Sequence, residues 1–447
     1  MPALRESINK VFQSEFYRNI LSLFSGMFLA RLFPALFALI IVRIYSPENF
    51  GLFVLYITIA STLSIISTGK YENAIILAET KTEKRHIFWL AQKINVLVNV
   101  VVALGIFVYI LVEGVELITS VLQLVLIPLY SFFFAAVQLL RNVLISNKQF
   151  KKLSFLEITR SVTTGILQCL FFAFPDTGLF MGAFLAQLLI YFVYARMIPE
   201  AQWNHKFRFT KEERNYGRRY INFPKFSVAS EIFNFLSSQL PVFLIKPFFG
   251  STMLGLYSFP HRYVSTPVQL LSTSVSRVYI QKARSLKDNV PDLSRLTFSL
   301  FKKQFLIGII PFTVMTLWGQ AIFRLVFGAE WEFSGFLAQL IAPWLFVVML
   351  ISPLSAIMIV MEKQKISMFF NILLMAFRIA GLLIGGIILK NISWAIGLYS
   401  FTGFAFFVAL GAYSLKLAGV KPGDILKFVF KILIVILLPL ILLRLWM

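Results

Sequence analysis

Charged side chains inside long apolar runs are where this sequence could do chemistry. Arg31, Arg262 and Arg378 lie near the centres of three separate runs, and Arg160 lies about two turns inside a fourth. The acids at comparable positions are Glu72, Glu157 and Glu231, and His261 is the one histidine inside a run. An arginine at the centre of a bilayer costs about 2.5–3.5 kcal/mol on an insertion scale, so three cost roughly 8–10 kcal/mol together. That sum is comparable with the whole stability of a domain. Such groups face water or find acids. Glu157 and Arg160 are spaced i, i+3 and can pair on one helix face. Arg31, Arg262 and Arg378 have no acid close in sequence. Either they line a shared cationic cavity suited to an anionic solute, with Arg160 as a further candidate, or they bond across helices to Glu231 or to carbonyls. Glu231, Glu72 and His261 are candidate counter-charges or coupling groups, His261 through protonation or as a hydrogen-bonded structural residue. Pro34 removes the amide that would bond the carbonyl of Ala30, which predicts a kink beside Arg31.

No metal-ligand spacing, phosphate-binding glycine loop or nucleophile elbow accompanies these charges. The sequence therefore gives no catalytic residue, metal site or cofactor, and the expectation is a protein that is not an enzyme. Cys169 is the single cysteine and lies in an apolar run, so it forms no intrachain disulfide.

The elements that must position these groups are membrane helices. The chain is 58% hydrophobic and 14% charged, with a mean hydropathy of +0.81, and a soluble surface needs more charge than that. Apolar runs fall at about 19–44, 50–78, 87–112, 119–145, 154–175, 178–197, 222–247, 252–279, 303–327, 336–361, 367–389 and 393–415. Each is long enough to cross a hydrocarbon core of about 30 Å. A further apolar stretch from Phe428 to Trp446 is either a thirteenth span or a helix lying on its lobe, with the span favoured. The first run is too long for a signal-peptide core and reads as a retained span.

The formal net charge of +22 could point to nucleic acid, but its distribution does not. Thirty of the 42 Lys and Arg residues fall in alternate connections, at 1–18, 79–86, 146–153, 196–225, 277–303, 362–366 and 416–431. That bias places these segments and the N-terminus in the cytoplasm, next to anionic lipid. The opposite-side turns are short, leaving no room for a catalytic domain outside the membrane. The expected organisation is a cytoplasmic amphipathic leader at 1–18, a six-span lobe at 19–197, a cytoplasmic linker at 198–221, a second six-span lobe at 222–415 and a C-terminal apolar helix at 416–447. Within the linker, Thr210-Lys211-Glu212-Glu213 matches a capping box that starts a short basic helix. Phe50-Gly51-Leu52-Phe53 and Leu254-Gly255-Leu256-Tyr257 are weak internal matches between the halves, as are Lys148-Gln149 and Lys363-Gln364. The small-residue pairs Gly178/Gly182 and Gly381/Gly385 predict close helix contacts. Trp89, Trp203, Trp318, Trp331, Trp394 and Trp446 mostly fall near run ends and read as interface anchors.

The opening hairpin, ARLFPALFALIIVRIYSPENFGLFVLY followed by GKYENAIILAE, resembles the bacterial polysaccharide and O-antigen (Wzx-type) flippases. These belong to a superfamily with the multidrug and toxin extrusion transporters and the lipid II flippases. FFGSTMLGLYSFPHRYVSTPVQLLSTSVSRVYIQKA and VFGAEWEFSGFLAQLIAPW are similar to later parts of the same family. The resemblance implies an all-α polytopic fold with two six-helix lobes in a V and alternating access to a central cavity. It implies translocation of an undecaprenyl-pyrophosphate-linked oligosaccharide, an O-antigen, capsule or exopolysaccharide unit, from the cytoplasmic to the periplasmic leaflet of the inner membrane. It also implies drive from a proton or sodium gradient, and as partners a polysaccharide polymerase and a chain-length regulator. A pyrophosphate needs a cationic, hydrated path, and guanidinium is a good phosphate partner. The alternatives are a multidrug-type antiporter, for which acids here are scarce, and a transporter of small sugars.

Overall fold

The computed structural model describes residues 15–113, 118–198, 208–437, 439–440 and 444. The expected leader at 1–18 falls almost wholly outside them. The described chain is helical and divides into two compact units, residues 1–239 and 240–447.

The first unit contains α1 (Glu15–Ile44), α2 (Pro47–Ser67), α3 (Tyr71–Leu77), α4 (Lys81–Glu113), α5 (Ile118–Ser146), α6 (Phe150–Leu170), α7 (Gly178–Met197), α8 (Lys211–Arg219) and α9 (Val228–Ser238). The run expected at 50–78 is not one helix. Gly69 and Lys70 both take left-handed φ, +58° and +59°, which ends α2 and starts α3. The loop expected at 79–86 is mostly helix, because α4 already begins at Lys81. Around Pro34, α1 stays helical. At the next corner Ser46 caps α2 in a reciprocal capping box with Asn49, and Pro47 takes the first helical position. This corner is tied to the turn before α7. Asn49 donates to Asp176 Oδ1 at 3.1 Å, and Tyr45 donates to the Gln168 carbonyl at 2.8 Å.

Glycines set the close helix contacts. A Cβ on Gly182 of α7 would sit 2.7 Å from the Gln168 amide nitrogen of α6, and one on Gly165 of α6 would meet the ring of Phe37 of α1 at 2.1 Å. The core of the unit joins Ile75, Ile87, Leu139, Leu140, Leu156 and Tyr194.

The second unit contains α10 (Leu240–Ser285), α11 (Val290–Phe327), α12 (Glu332–Leu354), α13 (Ile357–Val360), α14 (Gln364–Leu383), α15 (Ile392–Leu417) and α16 (Pro422–Ile432). Gly250, at φ +85° and ψ 175°, breaks α10 into two helices. The run expected at 222–247 is not one helix: along the sequence it holds a π-helical turn at Phe223–Ser227, then α9 and then the start of α10. Helix α12 is apolar on all sides and most buried, packing against α10, α11 and α15. On α14, a Cβ on Gly381 would lie 3.2 Å from Leu398 Cβ, and the π-turn residue Gly385 would bring one within 2.3 Å of Ala395 Cα.

Helix α16 packs on α11. Ile425, Phe428, Val429 and Ile432 face the core, and Phe428 meets Phe298, Phe301 and Phe305 with ring centroids 5.6–6.3 Å apart. Leu426 and Phe430 stay more than two-thirds exposed. The same pattern runs along the second half of α4. Leu97, Val101, Leu104, Val108, Leu111 and Val112 form one exposed apolar stripe at helical spacing. A stripe of this kind is unstable in water and stable in hydrocarbon. Nine helices among the described residues are long and apolar enough to cross a bilayer, and the protein is a multi-pass membrane protein.

Candidate functional site

Arg378, on α14, is held in the second unit by aromatic rings. Its guanidinium carbon lies 4.4 Å from the ring centroid of Trp344 on α12 and 4.6 Å from that of Tyr399 on α15. Behind Trp344 the imidazole of His261 stacks at 6.2 Å and 16°, and His261 in turn stacks on Tyr257 at 5.4 Å and 20°. The sequence folds this way because Tyr257 and His261 are spaced i, i+4 on one face of α10. Tyr399 and Gly403 are spaced alike on α15. Gly403 has no side chain where a Cβ would come within 2.6 Å of Arg378 Nη2 and 2.7 Å of Trp344 Nε1. Only glycine lets both groups close on that stretch of backbone.

The electrostatics of this cluster are one-sided. Arg378 makes no ion pair among the described residues. Its Nε and Nη2 atoms are buried and donate to no protein acceptor, as is the indole Nε1 of Trp344. A desolvated cation–π contact is worth about 2 kcal/mol, and taking an ion out of water costs several kcal/mol even after relaxation. The two rings therefore offset much of the cost of the charge but satisfy none of its N–H groups.

Arg262, next to His261, is exposed. Its carbonyl accepts from Thr266 at 2.6 Å, and its side chain has no acidic partner among the described residues. Arg31 is exposed on α1 of the first unit, also without such a partner.

Arg160 differs. It donates to Glu157 Oε2 at 2.8 Å, and Arg141 of α5 lies 3.3 Å from Glu157 Oε1. One carboxylate thus serves two guanidiniums on adjacent helices. Arg160 belongs to this internal triad rather than to an unpaired cation.

Glu231 and Glu72 come together around a lysine, not an arginine. Lys70 Nζ lies 2.6 Å from Glu231 of α9 and 3.2 Å from Glu72 of α3, and Thr68 hydrogen-bonds Glu72. Glu72 is buried. Glu231 is half exposed and, with Phe226, Ser227, Ser230 and Asn234, lines an open groove of about 590 Å³.

The linker helix α8 begins at Thr210 with the expected capping box and docks on α4. Glu213 receives Lys93 Nζ on both oxygens, at 2.8 and 2.7 Å, with both side chains buried. Farther along, Arg219 and Tyr220 bond the buried Glu83. Burial, and then this carboxylate, raise the Tyr220 hydroxyl above its ordinary pKa.

Sequence reasoning missed Trp344, Tyr399 and Gly403. One signal was available, since Trp344 is the tryptophan that lies mid-run rather than near a run end. Tyr399 and Gly403 carry no signal of their own.

A computed fold comparison matches the lipid II flippase MurJ in an inward closed conformation with a TM-score of 0.69 and 16% identity, over 92% of this chain and 91% of that one. It also matches an inward-facing multidrug resistance MATE family transporter of the MOP superfamily with a TM-score of 0.63 and 12% identity, over 87% and 94%. At these identities the likeness is one of fold. By sequence, the succinoglycan biosynthesis transport protein ExoT of Rhizobium meliloti (strain 1021) is 23% identical over 309 residues, 66% of this chain and 59% of the relative's length. The capsular polysaccharide biosynthesis protein CapF of Staphylococcus aureus is 22% identical over 317 residues, 69% of this chain and 77% of the relative's. Residues 16–280 match the family described as polysaccharide biosynthesis protein, and the chain belongs to that family.

Proposed function

We propose that this protein is a flippase for a lipid-linked oligosaccharide. The cargo is an undecaprenyl-pyrophosphate-linked repeat unit, which it carries from the cytoplasmic to the periplasmic leaflet of the bacterial inner membrane. The observation that carries this reading is the set of guanidinium groups in apolar helices, Arg31 in the first unit and Arg262 and Arg378 in the second. None has an acidic partner among the described residues. An unpaired intramembrane arginine is expensive and is retained where an anion uses it. A diphosphate head supplies that anion, and its isoprenoid tail remains in the hydrocarbon. Membership of a polysaccharide biosynthesis family supports a glycan on that head. The chain acts as a transporter rather than an enzyme, by alternating access, with its N-terminus in the cytoplasm and with a proton or sodium gradient as the energy source. A polysaccharide polymerase and a chain-length regulator are the expected partners in the membrane.

The test is leaflet exchange in proteoliposomes. A fluorescent undecaprenyl-pyrophosphate oligosaccharide is loaded, and exchange is followed with and without a proton or sodium gradient. Exchange that requires both protein and gradient is the expected result and identifies the ion. Movement of a small solute in place of the lipid would overturn the reading in favour of an antiporter or sugar transporter.

A further inference from the structure

We infer that the groove along α9 of the first unit is a sugar-recognition subsite. It seats an uncharged sugar ring of the cargo and bonds its hydroxyls through Ser227, Ser230, Glu231 and Asn234. The inference rests on the flippase reading for the identity of its ligand, and its site is separate from the arginines. Three observations carry it.

First, the groove has the space and the composition. It holds about 590 Å³, within the range of about 300–1,000 Å³ typical of small-molecule sites. Phe226, Ser230 and Asn234 follow one another at i, i+4 and i+8, and Ser227 and Glu231 form a second row beside them. The rows extend over about 12 Å of helix, which is longer than one sugar ring.

Second, the polar groups are free to bond a ligand. Ser237 and Ser238 of the same helix donate to the carbonyls of Phe233 and Phe235, at 2.7 and 2.8 Å. The side chains of Ser227, Ser230 and Asn234 make no such bond among the described residues. Their hydroxyls and amide both donate and accept, as does every hydroxyl of a sugar. The ring of Phe226 is 67% exposed and offers a flat apolar surface to the C–H groups of a sugar ring.

Third, the one charge in the groove is fixed in place. Lys70 takes a left-handed φ of +59°, which is unfavourable for a residue with a side chain. Its Nζ reaches Glu231 Oε1 at 2.6 Å and Glu72 at 3.2 Å, and Thr68 in turn bonds Glu72. This chain of contacts holds the Glu231 carboxylate still and leaves its Oε2 without a partner among the described residues. An acceptor set in advance loses little freedom on binding. One lysine against two glutamates leaves a net negative charge, so a phosphate or an acidic sugar is repelled. An alkali cation competes with the Lys70 ammonium for one carboxylate and leaves the Phe226 ring and the Asn234 N–H groups unused. A neutral sugar uses all of them.

The experiment is fluorine NMR of the full-length protein in lipid nanodiscs. The single cysteine is removed by Cys169→Ser, and Ala229→Cys, at an exposed position beside the groove, carries a trifluoromethyl tag. The titrant is the free oligosaccharide released by mild acid from the lipid-linked pool of the producing cells, which has neither diphosphate nor lipid tail. The expected result is a saturable shift of the tag resonance that neither polyethylene glycol nor sodium chloride produces. Ser230→Ala/Asn234→Ala should weaken the affinity about tenfold, for the loss of two neutral hydrogen bonds. Both positions are exposed, so this variant folds. Arg31→Gln and Arg378→Gln should keep the shift. A resonance that does not move with the oligosaccharide overturns the inference, and so does one that moves with sodium chloride instead, which marks a cation site. Leaflet exchange of the intact lipid-linked cargo on the same preparations separates the two readings. Exchange with an unmoved tag removes the sugar subsite alone. A moving tag without any exchange keeps the sugar subsite and removes the lipid-linked cargo. Exchange by the double variant at the wild-type rate under limiting cargo overturns the assignment of the groove to that cargo.

Discussion

The Lys93–Glu213 pair is the buried charge contact that helps hold the linker helix α8 on the first unit. Glu213 also accepts from the Thr210 amide at 3.0 Å as part of the capping box, and glutamine can take over that role. Glu213→Gln therefore removes the charge while keeping the cap. Lys93 then loses its counter-charge and retains the Arg208 carbonyl at 2.9 Å, the ring of Phe209 at 5.6 Å and at most one neutral amide oxygen. Removing one member of a buried pair costs about 3–5 kcal/mol, chiefly because the other charge is left unpaired. The retained carbonyl and ring place this case near the lower end, at about 3 kcal/mol. At about 1.4 kcal/mol per factor of ten, local opening of α8 should become about a hundredfold more frequent. Hydrogen exchange followed by mass spectrometry on peptides covering 208–220 measures this directly. The double variant Lys93→Met/Glu213→Leu removes both charges and should recover most of the protection, since a well-packed apolar pair is often no worse than a buried ion pair. Exchange in Glu213→Gln at the wild-type rate would refute the reasoning, and so would a double variant that opens more readily than the single one.

The other expectations concern the remaining charges and one helix contact. Arg31→Ala and Arg378→Ala should leave the protein in the membrane and abolish export, read as surface glycan, whereas Arg31→Lys should keep part of it. Normal glycan in both alanine variants would remove the cationic role. Glu157→Gln strands Arg141 and Arg160 without their shared carboxylate and should lower stability by about 3 kcal/mol, seen as a lower unfolding temperature in detergent. Partial rescue by Arg141→Gln in the same chain separates lost pairing from lost packing. Gly182→Leu places a side chain where even a Cβ would lie 2.7 Å from the Gln168 amide. It should force α6 and α7 apart and sharply reduce the folded yield, while Gly105→Leu, at a position with open space around it, should not.

What the sequence alone determined was local. Hydropathy located the apolar helices, because a residue's preference for hydrocarbon does not depend on its neighbours in space. The helix start at Thr210–Glu213 was legible because a cap is complete within four residues. The close contacts at Gly178, Gly182, Gly381 and Gly385 were legible because absence of a side chain is a property of the residue itself. The pairing of Glu157 with Arg160 could be anticipated from their i, i+3 spacing, but not the addition of Arg141.

Partnerships between distant segments were decided by the tertiary structure. Glu231 meets Lys70, 161 positions away, and Lys93 meets Glu213, 120 away. A chain with many lysines and arginines and few acids allows many such pairings, and only packing selects among them. The environment of Arg378 shows the same limit. Its charge was visible in the sequence, but that charge is held by Trp344, Tyr399 and Gly403 on two other helices. Stacking and close backbone approach depend on ångström-scale distances that no periodicity in the sequence encodes.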